Sequence, residues 1–280
     1  MWLDYLFSLI TLYLVVAALA IVHVLLYKRN SRAAFGWLGL ILVFPLAGAL
    51  LYALFGVNRV QRKARRISMD AEVGEMQPVG ASPEPTGAQL SRPGYRVTGS
   101  DLLAGIDVAT YMNGEGAYPH MLRAIDHARR EVLLSTYIFD NDATGRLFVE
   151  KMAAARDRGC SVRVLVDDVG IRYSFPTIIR ELNRAGLPFR RFMPLRLIPP
   201  SFSINLRTHR KILAVDREVA FAGGMNIGDR QLVEGPSPHK AADLHFRFDG
   251  RLAGDLVRLF ADDWRFSGGE DIDLSERPLL

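Results

Sequence analysis

The chain opens with two uninterrupted apolar runs and then changes to short apolar segments alternating with amphipathic ones. Leu6 to Tyr27 holds one histidine and no formal charge, and Ala33 to Val57 has no ionisable group except Tyr52. Each run exceeds the ~20 residues a helix needs to cross a bilayer core. Neither shows the polar face of a soluble helix. The pattern therefore predicts two transmembrane helices, the second kinked at Pro45. His23, near the end of its span, is expected to snorkel toward the interface. Asp4 stands where a cleavable signal would carry Lys or Arg, and the apolar run continues past Ala20, so the first run reads as a retained anchor.

From about Asp70 to Gly94 the chain is rich in Gly, Pro and Ser, with Pro78, Pro83, Pro85 and Pro93. This composition predicts a flexible or extended tether. Beyond Tyr95 the pattern predicts strands at 131–139, 161–166, 188–192, 211–215, 219–222 and 243–248. Helices are predicted at 118–130, 144–158, 176–185 and 251–264. Gly159 and Gly186 close two of them. Strands alternating with helices imply an α/β sandwich with a largely parallel sheet. The expected organisation is a membrane anchor over 1–60, a basic juxtamembrane segment and linker over 61–94, and one α/β domain over 95–280.

Charge sharpens the membrane reading. The net charge is +5, and Arg59, Arg62, Lys63, Arg65 and Arg66 cluster just after the second run. The positive-inside rule then places both ends and the bulk of the chain in the cytoplasm, against the smaller cluster Lys28, Arg29 and Arg32 between the runs. The cluster is also suited to anionic headgroups. The single Cys160 can form no internal disulfide. There is no P-loop, dinucleotide fingerprint, zinc spacing or internal repeat. Asn113-Gly-Glu-Gly116 reads as a loop, and Asp167-Asp168 as a solvated strand end or a partner for Arg172 rather than a metal site.

One stretch carries chemistry: Thr208-His-Arg-Lys-Ile-Leu-Ala-Val-Asp-Arg-Glu-Val-Ala-Phe-Ala-Gly-Gly-Met-Asn226, with the pattern H-x-K-x4-D-x6-G-G-x-N. Two short β-rich runs flank a polar trio beginning at Asp216, which predicts a hairpin. Residues two apart on a strand share a face, so His209 and Lys211 point one way and Arg210 the other. Gly223-Gly224 lets backbone approach a ligand, with Gly224 and Asn226 placed to meet a phosphate oxygen. A neutral imidazole at 209 can attack phosphorus and split one displacement into two. Lys211 and Asn226 would stabilise charge on the non-bridging oxygens. This chemistry needs no metal or other cofactor. Asp243, at the start of the next predicted strand, is the candidate to orient the histidine ring. Asp216 sits in the turn and is expected to bond backbone or basic groups, although it belongs to the motif's catalytic set. His245 reads as a satisfied core histidine. Arg196-Leu-Ile-Pro-Pro-Ser-Phe-Ser-Ile204 is either a packed loop or an interfacial entry for acyl chains.

The motif resembles the signature of the phospholipase D superfamily. The wider layout is similar to a bacterial cardiolipin synthase: the membrane hairpin, Ser135-Thr-Tyr-Ile-Phe-Asp140, Val164-Leu-Val-Asp167, and Asn205 to Gly228. The resemblance implies phosphatidyl transfer between two phosphatidylglycerol molecules, through a phosphohistidine at His209 or with His209 as its acid–base partner. Lys211 and Asn226 would grip the phosphate, and Asp243 matches the acidic residue that orients the histidine. The expected partners are anionic phospholipid, the membrane, and either a second domain with its own motif or a second copy of the chain; nucleic acid is not expected. Ala241 stands where that family usually has tryptophan, and only one motif is present where the family has two. Two other readings are a phospholipase D-type hydrolase, and an inactive membrane protein that binds anionic lipid.

Overall fold

The structure is a computed structural model that describes residues 2–28, 30–57, 107–194 and 207–275. The expected tether, the basic cluster at 59–66 and the proline-rich approach at 196–204 lie outside the described residues. The chain divides into two compact units.

In the first unit, α1 spans Trp2–Tyr27 and is long and apolar enough to cross a membrane. The second apolar run is not one helix. It is split into α2 (Ser31–Val43) and α3 (Pro45–Leu51), followed by a π-helical turn at Tyr52–Gly56. Pro45 has no N–H to donate and disfavours helical backbone at the residue before it, so Phe44 leaves the helix and Pro45 opens the next. Only one helix of spanning length is found among the described residues, where two were expected. Asn30 caps α2 by accepting the Ala33 N–H at 3.1 Å. His23 Nδ1 bonds the Tyr52 hydroxyl at 2.7 Å, and the Trp37 ring meets Tyr52 edge-on.

The second unit holds a seven-stranded sheet among the described residues. Its strands are β1 (Val108–Met112), β2 (Glu131–Thr136), β3 (Ser161–Asp167), β4 (Phe189–Phe192), β5 (Ile212–Val215), β6 (Val219–Gly223) and β7 (Leu244–Asp249), in the order β1-β7-β6-β5-β2-β3-β4. Only β2–β3 and β3–β4 pair in parallel; the other four pairings are antiparallel. The sheet is thus mixed, not mostly parallel. Helical connections join β1 to β2, β2 to β3 and β3 to β4, of which only the last two link neighbouring strands, whereas β5 and β6 form a hairpin. That hairpin turns through Asp216 and Arg217, both at positive φ, the backbone of a two-residue turn matched to strand twist.

Helices cover both faces. On one, α4 (Asn113–His127), α5 (Ala143–Asp157) and α6 (Ile179–Arg184) pack over Val132, Leu134, Val164, Val166, Leu213 and Phe221. On the other, α7 (Arg251–Phe266) packs Phe260 and Trp264 over Leu133, Leu165, Ile212, Ala214 and Ala220. Consecutive strand residues alternate between the two cores, as the pleat requires. The stretch Asn113–Gly116, expected as a loop, is the first turn of α4. Strand β1 has no counterpart in the sequence reading; it is an exposed edge.

Candidate active site

Strand β5 starts one residue after Lys211 and runs antiparallel to β2, with Ile212 opposite Ser135. The residues before β5 therefore lie beside those leaving the C-terminal end of β2. The site forms at this end of the sheet, outside the carboxyl ends of β2, β3 and β6, where open α/β sheets receive ligands. Tyr137 provides its platform. The rings of Tyr137 and His209 stack with centroids 4.3 Å apart and planes 22° apart. Lys211 Nζ stands 5.5 Å from the centre of the same tyrosine ring and donates to the His209 carbonyl at 2.7 Å. Arg210 points to the opposite face and pairs with Asp263 of α7 at 2.5 Å. Strand alternation thus places His209 and Lys211 together and Arg210 apart, as the spacing predicts.

The backbone leading into His209 is held by the end of β3. Asp167, fully buried, accepts the N–H groups of Val169 and Gly170 at 2.9 and 3.3 Å. The buried Arg207 guanidinium lies 3.7 Å from it and donates to the Met193 carbonyl at 2.8 Å. Burial pushes the Asp167 carboxyl above its usual range, and the N–H donors and Arg207 pull it back. Asp168, also buried, bonds Arg172 at 3.0 Å and Arg191 at 3.1 Å. The aspartate pair is therefore not a solvated strand end. Among the described residues no group of three His, Cys, Asp or Glu side chains is placed to hold a metal.

The glycine pair of the motif receives side chains of the protein itself. A Cβ on Gly224 would run into the Asp243 carboxylate, and one on Gly223 into the Leu244 carbonyl and the His245 ring. The space beside Gly224, expected to meet a phosphate, is taken by Asp243. Asp243 accepts the Leu244 N–H at 2.8 Å, and its own N–H donates to Asn113 Oδ1 at 3.0 Å. No hydrogen bond joins Asp243 to His209 among the described residues. Its charge acts on Lys211 instead. Burial lowers the Lys211 ammonium's pKa from the usual lysine range, and Asp243 and Asp167 oppose that. His245 is 1% exposed, and neither ring nitrogen has a hydrogen-bond partner among the described residues, so it is buried but not satisfied there.

Asn226 is fixed end for end. Its Oδ1 accepts the Ile138 N–H at 2.9 Å, a bond only the oxygen can make, so the amide's NH2 is its free-standing donor end. The loop around it is pinned by the buried Tyr118, whose hydroxyl donates to the Asn226 carbonyl at 2.9 Å. Asp142 accepts from Gly145 and Asp229, while Asp229 accepts from Thr144. Asp140 and Arg230 form a two-bond ion pair at 2.6 and 3.1 Å below the same loop. Asp216 is remote from all this. It lies at the other end of β5 from Lys211, and its carboxylate accepts the N–H groups of Arg129, Arg130 and Glu131. Its contacts are those of a structural clamp rather than a reacting group. Sequence reading missed Tyr137, Arg207, Tyr118 and Arg230. Only Tyr137 left a signal, as an aromatic residue just past a strand with the apolar centre Val132-Leu-Leu134.

The chain matches two known families along its length. Residues 15–56 match the family described as phospholipase D-nuclease N-terminal, and residues 121–239 the one described as cardiolipin synthase, PLD-like domain. The cardiolipin synthase of Geobacillus kaustophilus is 29% identical over 267 residues, covering 91% of this chain and 53% of that relative. The cardiolipin synthase of Geobacillus thermodenitrificans is 31% identical over 257 residues, covering 88% of this chain and 51% of the relative. The chain spans about half the length of the curated relatives it matches. Among solved structures, a phospholipase D family member, Nuc from Salmonella typhimurium, aligns with a TM-score of 0.46 and 19% identity over 60% of this chain and 100% of that one. Its anchor segment and its H-x-K-bearing domain are thus each similar to parts of the phospholipase D superfamily, the bacterial cardiolipin synthases among them.

Proposed function

We propose that this chain supplies one motif-bearing half of a membrane phosphatidyltransferase that joins two phosphatidylglycerol molecules into cardiolipin. The observation that carries the reading is the stacked His209 with Lys211 over the same tyrosine, in a chain whose similarity to cardiolipin synthases runs through the membrane anchor as well. In the first step a ring nitrogen of His209 bonds to phosphorus and the bond to the glycerol oxygen breaks, the glycerol leaving with a proton. In the second, a hydroxyl of another phosphatidylglycerol bonds to phosphorus, the N–P bond breaks and the imidazole is restored. If His209 is instead the acid–base partner, it donates that first proton and accepts the second. Lys211 and the NH2 of Asn226 neutralise the charge developing on the non-bridging oxygens, and Asp243 keeps the lysine charged.

A second histidine must come from outside this motif. A further motif-bearing domain or a second copy of the chain would provide it. The apolar N-terminal segments would hold the site at the bilayer as a multi-pass anchor, with the catalytic domain on the cytoplasmic side. The test is product analysis on phosphatidylglycerol vesicles, with and without a separately supplied second half. Cardiolipin and free glycerol are expected, and both are lost in His209→Ala. Phosphatidic acid alone as product would make the chain a hydrolase instead, and no product in either arm from folded protein would remove the enzymatic reading.

A further inference from the structure

Three neighbouring strands place Lys211, Gly223 and His245 in one row. Gly223 is opposite His245 in the β6–β7 register. Lys211 stands one step before Ile212, whose partner on β6 is Ala222, so the next pair in line is Lys211 and Gly223. All three lie on the sheet face of Leu213 and Phe221, because residues two apart on a strand share a side. The middle position of the row has no side chain. His245 uses that space: a Cβ on Gly223 would meet His245 Nδ1. The imidazole thus reaches over the glycine toward the lysine.

Two orphaned nitrogens make this arrangement informative. His245 is 1% exposed, yet neither Nδ1 nor Nε2 has a hydrogen-bond partner among the described residues. Buried polar atoms are nearly always paired, so an unpaired pair beside a reactive cluster marks a place where a bond forms in another state. Burial pushes the imidazole down to about 4, with Asp243 opposing and Lys211 reinforcing, so the ring is neutral at physiological pH and keeps an acceptor lone pair. Lys211 has three N–H donors, and its ammonium is bonded to the carbonyl of His209 within its own segment. The charged and titratable groups around that ammonium are Asp243 before β7, Asp167 at the end of β3, His245 on β7, His209, and Tyr137 just after β2.

We propose that His245 is a positioning residue for Lys211, its Nδ1 accepting a hydrogen bond from the lysine ammonium across Gly223 and turning it off the His209 carbonyl toward a bound phosphoryl group. The phosphoryl group rests on the proposed function, whereas the lysine–imidazole bond does not. A charged histidine at this place would repel the ammonium; a neutral one aims it. Asp243 supplies the compensating charge, and His245 supplies direction.

The test measures Lys211 itself. In detergent micelles, the pH dependence of Lys211 acetylation by acetic anhydride, followed by mass spectrometry, gives the pH at which the ammonium loses its proton. His245→Phe is expected to move that midpoint down by roughly one unit, because an acceptor for the charged form is gone. His245→Gln, whose carbonyl can accept, is expected to return most of the shift. An unchanged midpoint in folded His245→Phe, or an equal fall in both variants, overturns the proposal. Histidine 15N chemical shifts of the unmodified chain at neutral pH give a check that needs no variant: His245 should carry its proton on Nε2, and a proton on Nδ1 overturns the proposal equally. Lysine reactivity does not require turnover, so a failure here is distinct from a failure of phosphatidyl transfer.

Discussion

Tyr137 lies nearly flat against His209, with ring centroids 4.3 Å apart and an interplanar angle of 22°. The tyrosine fixes the plane of an imidazole that is otherwise exposed and has no hydrogen bond to Asp243 among the described residues. It also carries the Lys211 ammonium over its ring. An aromatic pair of this kind contributes about 0.5–1.5 kcal/mol beyond its buried area. Tyr137→Ala should therefore slow the proposed phosphatidyl transfer by roughly tenfold, which corresponds to about 1.4 kcal/mol. Tyr137→Phe keeps the ring and should stay close to the parent. Steady-state rates on mixed micelles check this; equal losses in both variants would mean that the hydroxyl, not the stack, matters.

The two motif glycines should separate stability from activity. At Gly223 an added methyl meets the Leu244 carbonyl and the Cα of His245, which are backbone and cannot yield. Gly223→Ala should then destabilise the domain by a few kcal/mol, in the range of about 1–3 for overpacking a close contact. At Gly224 the obstacle is only the carboxylate of the exposed Asp243. That side chain can swing away, so Gly224→Ala should leave the denaturation midpoint nearly unchanged while activity falls as Asp243 is displaced from Lys211. Denaturant titration beside turnover measurements on both variants distinguishes the two outcomes.

Asp216 should behave as a structural residue although it belongs to the motif. Its carboxylate accepts three consecutive backbone N–H groups where α4 runs into β2, and its own N–H bonds the Glu131 carbonyl at 3.0 Å. Hydrogen bonds to a charged acceptor contribute about 1.5–3 kcal/mol each when buried and less when exposed, as two of these are. Asp216→Ala should cost about 2 kcal/mol in stability. Asp216→Asn should cost less, since asparagine tolerates the positive φ of 54° and retains one acceptor oxygen. In folded protein the KM for the proposed phosphatidylglycerol substrate should be unchanged by either substitution. A raised KM with normal stability would place Asp216 in the site.

These residues also show how far the sequence could be read. The central strands were legible because Val and Leu fill both faces at 132–134 and 164–166, and because the polar trio after Val215 announces a hairpin. Strand β1 was not, since Val108–Met112 is an exposed edge with neither an apolar run nor a clean alternation. Strand direction was missed because it depends on which connections are helical: the 219–223 strand closes the hairpin and the 244–249 strand adds antiparallel to it, with no crossover helix between them. Spacing alone drew His209, Lys211 and Asn226 into one candidate site. It could not show that Tyr137 arrives from β2, that Arg207 and Asp167 anchor the segment, or that His245 lacks a partner. Those relationships join residues about 30 to 70 positions apart on different strands, and a local pattern carries no record of them.

The same buried histidine makes stability depend on pH in a defined window. In the unfolded chain His245 takes up a proton near its ordinary value of about 6.5. In the fold it does so only near about 4. Between those values the unfolded state binds more protons than the folded one, so acidification favours unfolding. The His245 contribution is therefore complete above the unfolded value, declines as the pH falls through the window and levels off below the folded value. The full difference amounts to roughly 3 kcal/mol by the linkage relation. Asp140, Asp167 and Asp263 act with the opposite sign, since burial raises their carboxyl pKa values in the fold and acid protonates them more readily there. The difference between parent and His245→Phe isolates the histidine, because the carboxylates are common to both. Urea midpoints measured from pH 7.5 down to pH 4 should show the variant gaining on the parent as the pH falls, by an amount approaching that difference. Parallel curves would mean that the imidazole charges freely within the fold, and that its burial beside Lys211 does not hold in solution.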